Sequence, residues 1–175
     1  MTPRPAIRNY RTVRRGYTLT EVIVMLVILS IAAAVIVPKL SNASDLQVMG
    51  AARMLAADLQ YAQDTAITTQ VPVTVTFNTG AESYQLSNAS GLLKNPITKT
   101  DYVVGFRTTP GTENVDVYSV NFNGGSAVTF DVLGAPGTVA PLSPATHNIV
   151  LQARANVYYI DVASATGRVS VQAKP

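Results

Sequence analysis

Few side chains in this 175-residue chain are of types that do chemistry, and their spacing excludes most of what they could do. There is no cysteine, which removes thiolate metal sites, disulfide frameworks and cysteine nucleophiles. The single histidine, His147, restricts any Ser-His-Asp arrangement to itself and forbids a two-histidine metal site. It ends a proline-rich stretch, where a solvated loop imidazole is a simpler reading than a catalytic base. Asp101, Asp116, Asp131 and Asp161 are scattered singly among apolar neighbours, as acids on the outer side of a sheet would be. No phosphate loop, nucleophile elbow, His-Glu-x-x-His pair or Asp-rich calcium loop occurs. The expectation is a non-enzyme with no catalytic residue, no metal and no cofactor.

Three cations near the C-terminus, Arg154, Arg168 and Lys174, together with Tyr158 and Tyr159, could offer a salt-sensitive contact to DNA. A second arginine two positions after Arg168 would strengthen that reading, but Ser170 stands there. The net charge of +3 lends it little support, because charge is divided along the chain. Residues 1–16 hold five arginines (Arg4, Arg8, Arg11, Arg14 and Arg15) and no acid. The rest has eight basic side chains against ten acids, a net of −2. The basic character belongs to a short N-terminal arm. Charged residues are only 13% of the chain and hydrophobic ones 47%, which excludes a disordered polyelectrolyte.

The most informative single side chain is Glu21. Residues 22–37 are apolar apart from Ser30, and extending the run back to Tyr17 adds one charge, Glu21. As a helix, residues 17–37 would be about 31 Å long, matching a bilayer core of about 30 Å. The arginines before it predict an N-terminus on the cytoplasmic side, with the rest of the chain across the membrane. A carboxylate in hydrocarbon costs on the order of 3 kcal/mol, so it needs a reason. A cut between Gly16 and Tyr17 would supply one, creating an ammonium on Tyr17 four residues away, within the same apolar stretch. Two charges that are each expensive alone could then neutralise one another, within or between subunits.

Three fates fit such a start. A secretory signal peptide could be removed at the small-x-small site Ser41-Asn42-Ala43. Arg14-Arg15 could be a twin-arginine pair, although the following Gly16-Tyr17-Thr18-Leu19 fits that pattern poorly. Or the apolar run is retained as an anchor and assembly helix, the reading that gives Glu21 a task.

The segment Arg14-Arg15-Gly16-Tyr17-Thr18-Leu19-Thr20-Glu21, followed by the apolar run, resembles the processing site of type IV pilins and type II secretion pseudopilins. That resemblance implies cleavage after Gly16 by a prepilin peptidase, N-methylation of Tyr17, and a subunit-assembly role for Glu21. Tyrosine stands where phenylalanine or methionine is usual, and keeps the ring. Pro38 also fits, since such helices often carry a proline there.

The elements beyond it read as a stem and a domain. Leu40, Val48, Met49, Ala52, Leu55, Ala56, Leu59, Ala62 and Ala66 recur at helical spacing, while Asp45, Arg53, Asp58 and Asp64 fall mostly on other faces. Pro38 is expected to kink or locally melt the helix, and Pro72 to end it near Gln70. The period then changes from about 3.6 to 2, with Val73, Val75 and Phe77 alternating with threonines. Further strands are expected at 83–87, 102–107, 115–122, 127–133, 148–152, 156–162 and 168–172. Turns are expected at Asn123-Gly124-Gly125-Ser126 and Ala165-Thr166-Gly167, and one long loop at 134–147. A helix followed by many short strands predicts an α+β fold with antiparallel sheets.

This second half narrows the resemblance. The helix Ala51-Ala52-Arg53-Met54-Leu55-Ala56-Ala57-Asp58-Leu59-Gln60-Tyr61-Ala62-Gln63-Asp64-Thr65-Ala66, leading into the valine-rich segment from Val71 to Phe77, looks like the GspH/FimT-type minor pseudopilins. Gln63 stands where arginine is common in them. Val157 to Val162 and Thr166 to Val171 look like their closing hairpin, while residues 80–147 are unmatched. The resemblance implies a long N-terminal helix, membrane-spanning then amphipathic, packed on a β-sandwich-like domain. It divides the chain into a leader (1–16), a transmembrane and assembly helix (17–38), an amphipathic helical half (39–70) and a periplasmic or extracellular β domain (71–175). The implied partners are prepilin peptidase, other pseudopilins or pilins, the bacterial inner membrane and secreted proteins; DNA is the alternative partner, through Arg154, Arg168 and Lys174.

Overall fold

The computed structural model describes residues 16–137 and 147–174, and in the helix the side chains of residues 34–43 fall outside that description. The five leader arginines, the greater part of the loop expected at 134–147, and the side chains of Pro38 and Ser41-Asn42-Ala43 thus lie outside the described residues.

Among the described residues a helix, α1 (Leu19–Thr69), precedes nine strands: β1 (Val73–Asn78), β2 (Ser83–Asn88), β3 (Gly91–Leu92), β4 (Val103–Gly105), β5 (Asp116–Val120), β6 (Ala127–Phe130), β7 (Ile149–Ala153), β8 (Asn156–Val162) and β9 (Val169–Ala173). The helix is continuous across Pro38 rather than melted there. A mid-helix proline removes one hydrogen bond, a loss the neighbouring turns can absorb. The chain divides into two compact units, residues 1–39 and 40–175.

In the first unit α1 begins behind Thr18, whose backbone carbonyl and hydroxyl share the backbone N–H of Glu21, at 3.1 Å and 3.3 Å, as an N-cap residue does. From Tyr17 to Ile31 every large apolar side chain is between 44% and 77% exposed, so the helix is apolar on all sides. Ser30 keeps its one hydroxyl inside the helix, donating to the Leu26 carbonyl at 2.7 Å. Among the described residues no helix is long and apolar enough to cross a membrane. The span expected at 17–38 runs into residues whose side chains lie outside the description.

In the second unit the helical pattern narrows to one stripe: Val48, Ala51, Ala52, Leu55, Leu59, Ala62 and Ala66 are all fully buried. The small residues let a sheet approach closely. The helix stops where Gln70 takes a left-handed conformation (φ 56°) two residues before Pro72.

Two antiparallel sheets share the core. The first has the order β3-β2-β1-β6 with β4 also on β2, and the second runs β5-β7-β8-β9. Along β1, Val73, Val75 and Phe77 are buried while the threonines between them are partly exposed, as the alternation predicts. The chain passes between sheets at a tight turn in which Asn123 and Gly124 both have positive φ, closed by the Phe122–Gly125 bridge. Phe77 and Phe122 then stack across the interior, with centroids 5.9 Å apart. The result is an α+β fold of one helix and antiparallel sheets, as expected. Only the two-residue β3 has no counterpart among the expected strands, being too short to show a period.

Candidate functional site

The N-terminal group straddles the start of α1. Gly16 and Tyr17 precede α1, both exposed, and among the described residues nothing lies within 4 Å of where a Cβ on Gly16 would sit. Glu21 lies exposed in the first turn of α1, where the helix dipole favours a carboxylate. Thr18 and Glu21 have the Thr-x-x-Glu spacing of a capping box, a signal in the sequence that locates the helix start and that hydrophobicity alone does not reveal.

The three C-terminal cations do not form one cluster. Arg154 sits in the β7–β8 turn with φ 57°, and Lys174 lies at the same end of the sheet, its N–H donating to the Val157 carbonyl at 2.9 Å. Arg168 precedes Val169, which pairs with Val162 at the opposite end of β8. The length of β8 puts about 20 Å between the two ends. Arg154 and Arg168 are therefore separated by the length of a strand and do not present one contiguous basic surface. Lys174 instead borders an open groove of about 680 Å³ on the outer sheet face, with Tyr118, His147, Gln152 and Tyr159 among its lining residues.

His147 and Asp161 correct the expectation of solvated, isolated side chains. The imidazole stacks on Tyr159, with centroids 3.7 Å apart and planes 9° apart, and its Nδ1 lies 2.9 Å from an Asp161 carboxylate oxygen. The other Asp161 oxygen accepts the Asn148 N–H at 3.1 Å. Asn148 then accepts the Val162 N–H at 2.7 Å and donates to the Asn121 carbonyl at 3.2 Å. Asp161 is on the outer face of β8, but the His147 ring covers it, leaving the residue only 7% exposed. Among the described residues no serine or threonine hydroxyl is bonded to the ring. The group fastens the entrance of β7 to β8 and to the segment after β5.

Asp58 is a second departure from the outward-facing expectation. Its carboxylate accepts the Tyr84 hydroxyl at 2.5 Å and the Tyr102 hydroxyl at 2.9 Å, joining α1 to the first sheet. Burial raises the Asp58 pKa above the ordinary 3.8, opposed by the two hydroxyl hydrogen bonds. Burial and the adjacent carboxylate likewise push the Tyr84 pKa well above the usual tyrosine range. The helical spacing puts Asp58 beside the buried stripe, and only the distant tyrosines make that position satisfiable.

Gln63 performs a similar task with a neutral amide. Its Nε2 donates to the Gly134 carbonyl at 2.7 Å and the Thr166 carbonyl at 2.9 Å, holding the β6–β7 and β8–β9 connections to α1. Gly134 (φ 81°) and Gly167 (φ 67°) permit the approach; a Cβ on Gly167 would lie 2.5 Å from that amide nitrogen. The position at which Gln63 differs from the family's common arginine is thus occupied by a working donor of two hydrogen bonds.

These clusters join the helix, strands and loops of the domain to one another. Among solved structures, the minor pseudopilin EpsH from the type 2 secretion system of Vibrio cholerae is similar with a TM-score of 0.51 and 10% identity, over 73% of this chain and 97% of that one. The type IV minor pilin FimU of Pseudomonas aeruginosa aligns with a TM-score of 0.47 and 19% identity, over 73% of this chain and 88% of that one. No curated protein sequence matches significantly. The family model for type II transport protein GspH matches residues 51–167, well over half of the chain. The chain accordingly belongs to the GspH family, that of type II transport protein GspH.

Proposed function

We propose that this chain is a minor subunit of a type II secretion pseudopilus or type IV pilus, and that it works by assembly rather than catalysis. The observation that carries the reading is the stretch of residues 17–31, apolar on every side of its helix and exposed throughout, with Glu21 in the first helical turn behind the exposed Gly16 and Tyr17. Such a surface needs either lipid or other helices around it. In this reading residues 1–16 are the leader, removed by a prepilin peptidase, and Tyr17 becomes the methylated N-terminus. Residues 17–38 anchor the subunit in the inner membrane in a single pass, with the leader cytoplasmic before cleavage. The β domain lies in the periplasm, or outside the cell in a filament. Glu21 meets an N-terminal ammonium as the helix moves from lipid into a helical bundle, and the charge pair sets the register between subunits. The role served is the secretion of other proteins.

Glu21→Ala tests this directly. The variant retains export and cleavage, while its recovery in sheared filaments or cross-linked pseudopili falls on the order of a hundredfold, as expected when one member of a buried charge pair is lost. Normal incorporation would overturn the proposal. The competing reading, a FimT-like minor pilin that binds DNA for uptake in transformation, draws on Arg154, Arg168 and Lys174. Their separation across the sheet works against a single footprint. Salt-sensitive DNA retention lost in Arg168→Ala would support it over the secretion reading.

A further inference from the structure

The two sheets have four edges, and three are blocked. The outer side of β6 is occupied by its own chain, through the Phe130–Pro136 bridge and the bond from the Gly137 N–H to the Thr129 carbonyl at 2.9 Å. On β5, the Val117 N–H donates to the Glu82 carboxylate, and Arg107 bonds Asp116 at 3.1 Å beside it. The β2 edge is covered by the short β3 and β4, whose connecting hairpin is pinned by the Lys94–Asp101 ion pair at 2.6 Å. These are the usual ways of keeping an edge from pairing with another chain.

The remaining edge, β9, has no such device among the described residues. Its phase against β8 is fixed by two bonds, from the Ala163 N–H to the Arg168 carbonyl and from the Lys174 N–H to the Val157 carbonyl, each 2.9 Å. In an antiparallel ladder the bonded residues alternate. Arg168, Ser170, Gln172 and Lys174 therefore turn their backbone groups toward β8, and Val169, Val171 and Ala173 turn theirs outward. Val169 and Val171 pack their side chains on the core, so the edge is held rigid while its N–H and C=O groups face away. The strand contains no proline or charge, and two exposed cations bound it, Arg168 at one end and Lys174 at the other. Neither is in an ion pair among the described residues.

We infer that the outer edge of β9 is a docking edge for an extended segment of a different polypeptide, which adds as a further antiparallel or parallel strand. Charge selects the occupant: a segment with an uncharged, β-branched centre and a carboxylate at each flank, the carboxylates meeting Arg168 and Lys174 about 20 Å apart. A second copy of this chain is a poor occupant. Antiparallel pairing of β9 with itself puts one copy's Arg168 beside the other's Lys174, and parallel pairing sets like against like. The inference rests on the sheet edges and does not depend on how the N-terminal helix is used.

The test is residue-resolved amide hydrogen exchange on the full-length chain in detergent micelles. The probe is the capped peptide Glu-Thr-Val-Thr-Val-Thr-Glu, with Lys-Thr-Val-Thr-Val-Thr-Lys as control. Without peptide, the amides of Val169, Val171 and Ala173 exchange fast while those of Ser170 and Gln172 are protected. The acidic peptide slows the first three by about tenfold or more, and the basic peptide does not. Reversing both flanking charges, Arg168→Glu with Lys174→Glu, exchanges the preference between the two peptides by a comparable factor. Protection of the three amides without peptide, protection that grows with protein concentration alone, equal response to both peptides, or no response to either would each overturn the inference.

Discussion

Two stretches of one helix carry comparable apolar weight and put it to opposite use. Between residues 17 and 31 no large apolar side chain is less than 44% exposed, whereas Val48, Leu55 and Leu59 farther along α1 are fully buried. The difference lies in pattern rather than in amount. In the second stretch small residues and a single stripe let two sheets close on the helix, and the domain supplies its own interior. In the first, apolar side chains point in every direction, and nothing in the described chain covers them. One stretch is stabilised by its own fold and the other by whatever surrounds it.

Leu59→Ala should break the self-sufficient side most severely. Truncating a fully buried leucine costs about 2–5 kcal/mol and lowers the melting temperature of the full-length chain in detergent. Its partition into membranes should not change. Ile28→Arg is the converse, costing about 3 kcal/mol of membrane insertion while the domain's melting transition stays where it is. If either variant changed both readouts, the division between the two stretches would fail.

Inside the domain, Asp58→Ala leaves the Tyr84 and Tyr102 hydroxyls without their acceptor and should cost about 2 kcal/mol, seen as a lower unfolding midpoint. The pH dependence has a definite sign. The folded-state pKa of Asp58 is raised by burial, so the native state holds the proton more tightly than the unfolded chain does. The resulting stability is fully present below the ordinary carboxylate value of 3.8 and is lost as pH rises through the raised one. Asp58→Asn, which stays neutral, should remove that part of the slope when melting is followed across this window.

Smaller effects should follow at the loop joint. Gly167→Ala forces a Cβ against Gln63 at a positive φ and should cost about 1–3 kcal/mol, more than the roughly 1 kcal/mol lost in Gln63→Ala. Both are measured by thermal unfolding. Arg168→Ala, at an exposed turn, should shift stability by less than about 0.5 kcal/mol.

The elements of the fold were largely legible because its strands alternate cleanly and its turns carry Asn-Gly and Thr-Gly signals. What the sequence could not disclose were long-range partners. Nothing near Asp58 announces Tyr84 and Tyr102, 26 and 44 residues away. Likewise His147 and Asp161 look solvated until the pairing of β7 with β8 brings the imidazole over the carboxylate. Gln63 reads as a departure from a motif until the two carbonyls it serves are placed beside it. By contrast, Gly16, Tyr17 and Glu21 are neighbours along the chain, so their grouping needs no tertiary contact.

The central claim is that the mature subunit begins at Tyr17, just ahead of the exposed helix. It is tested most directly by the intact mass and N-terminal peptide of the protein recovered from cells containing a prepilin peptidase. The account predicts a chain beginning at N-methylated Tyr17, with the apolar stretch retained. A chain beginning at Ser44 would mean that the stretch is a discarded signal peptide, and would contradict the assembly role given to Glu21.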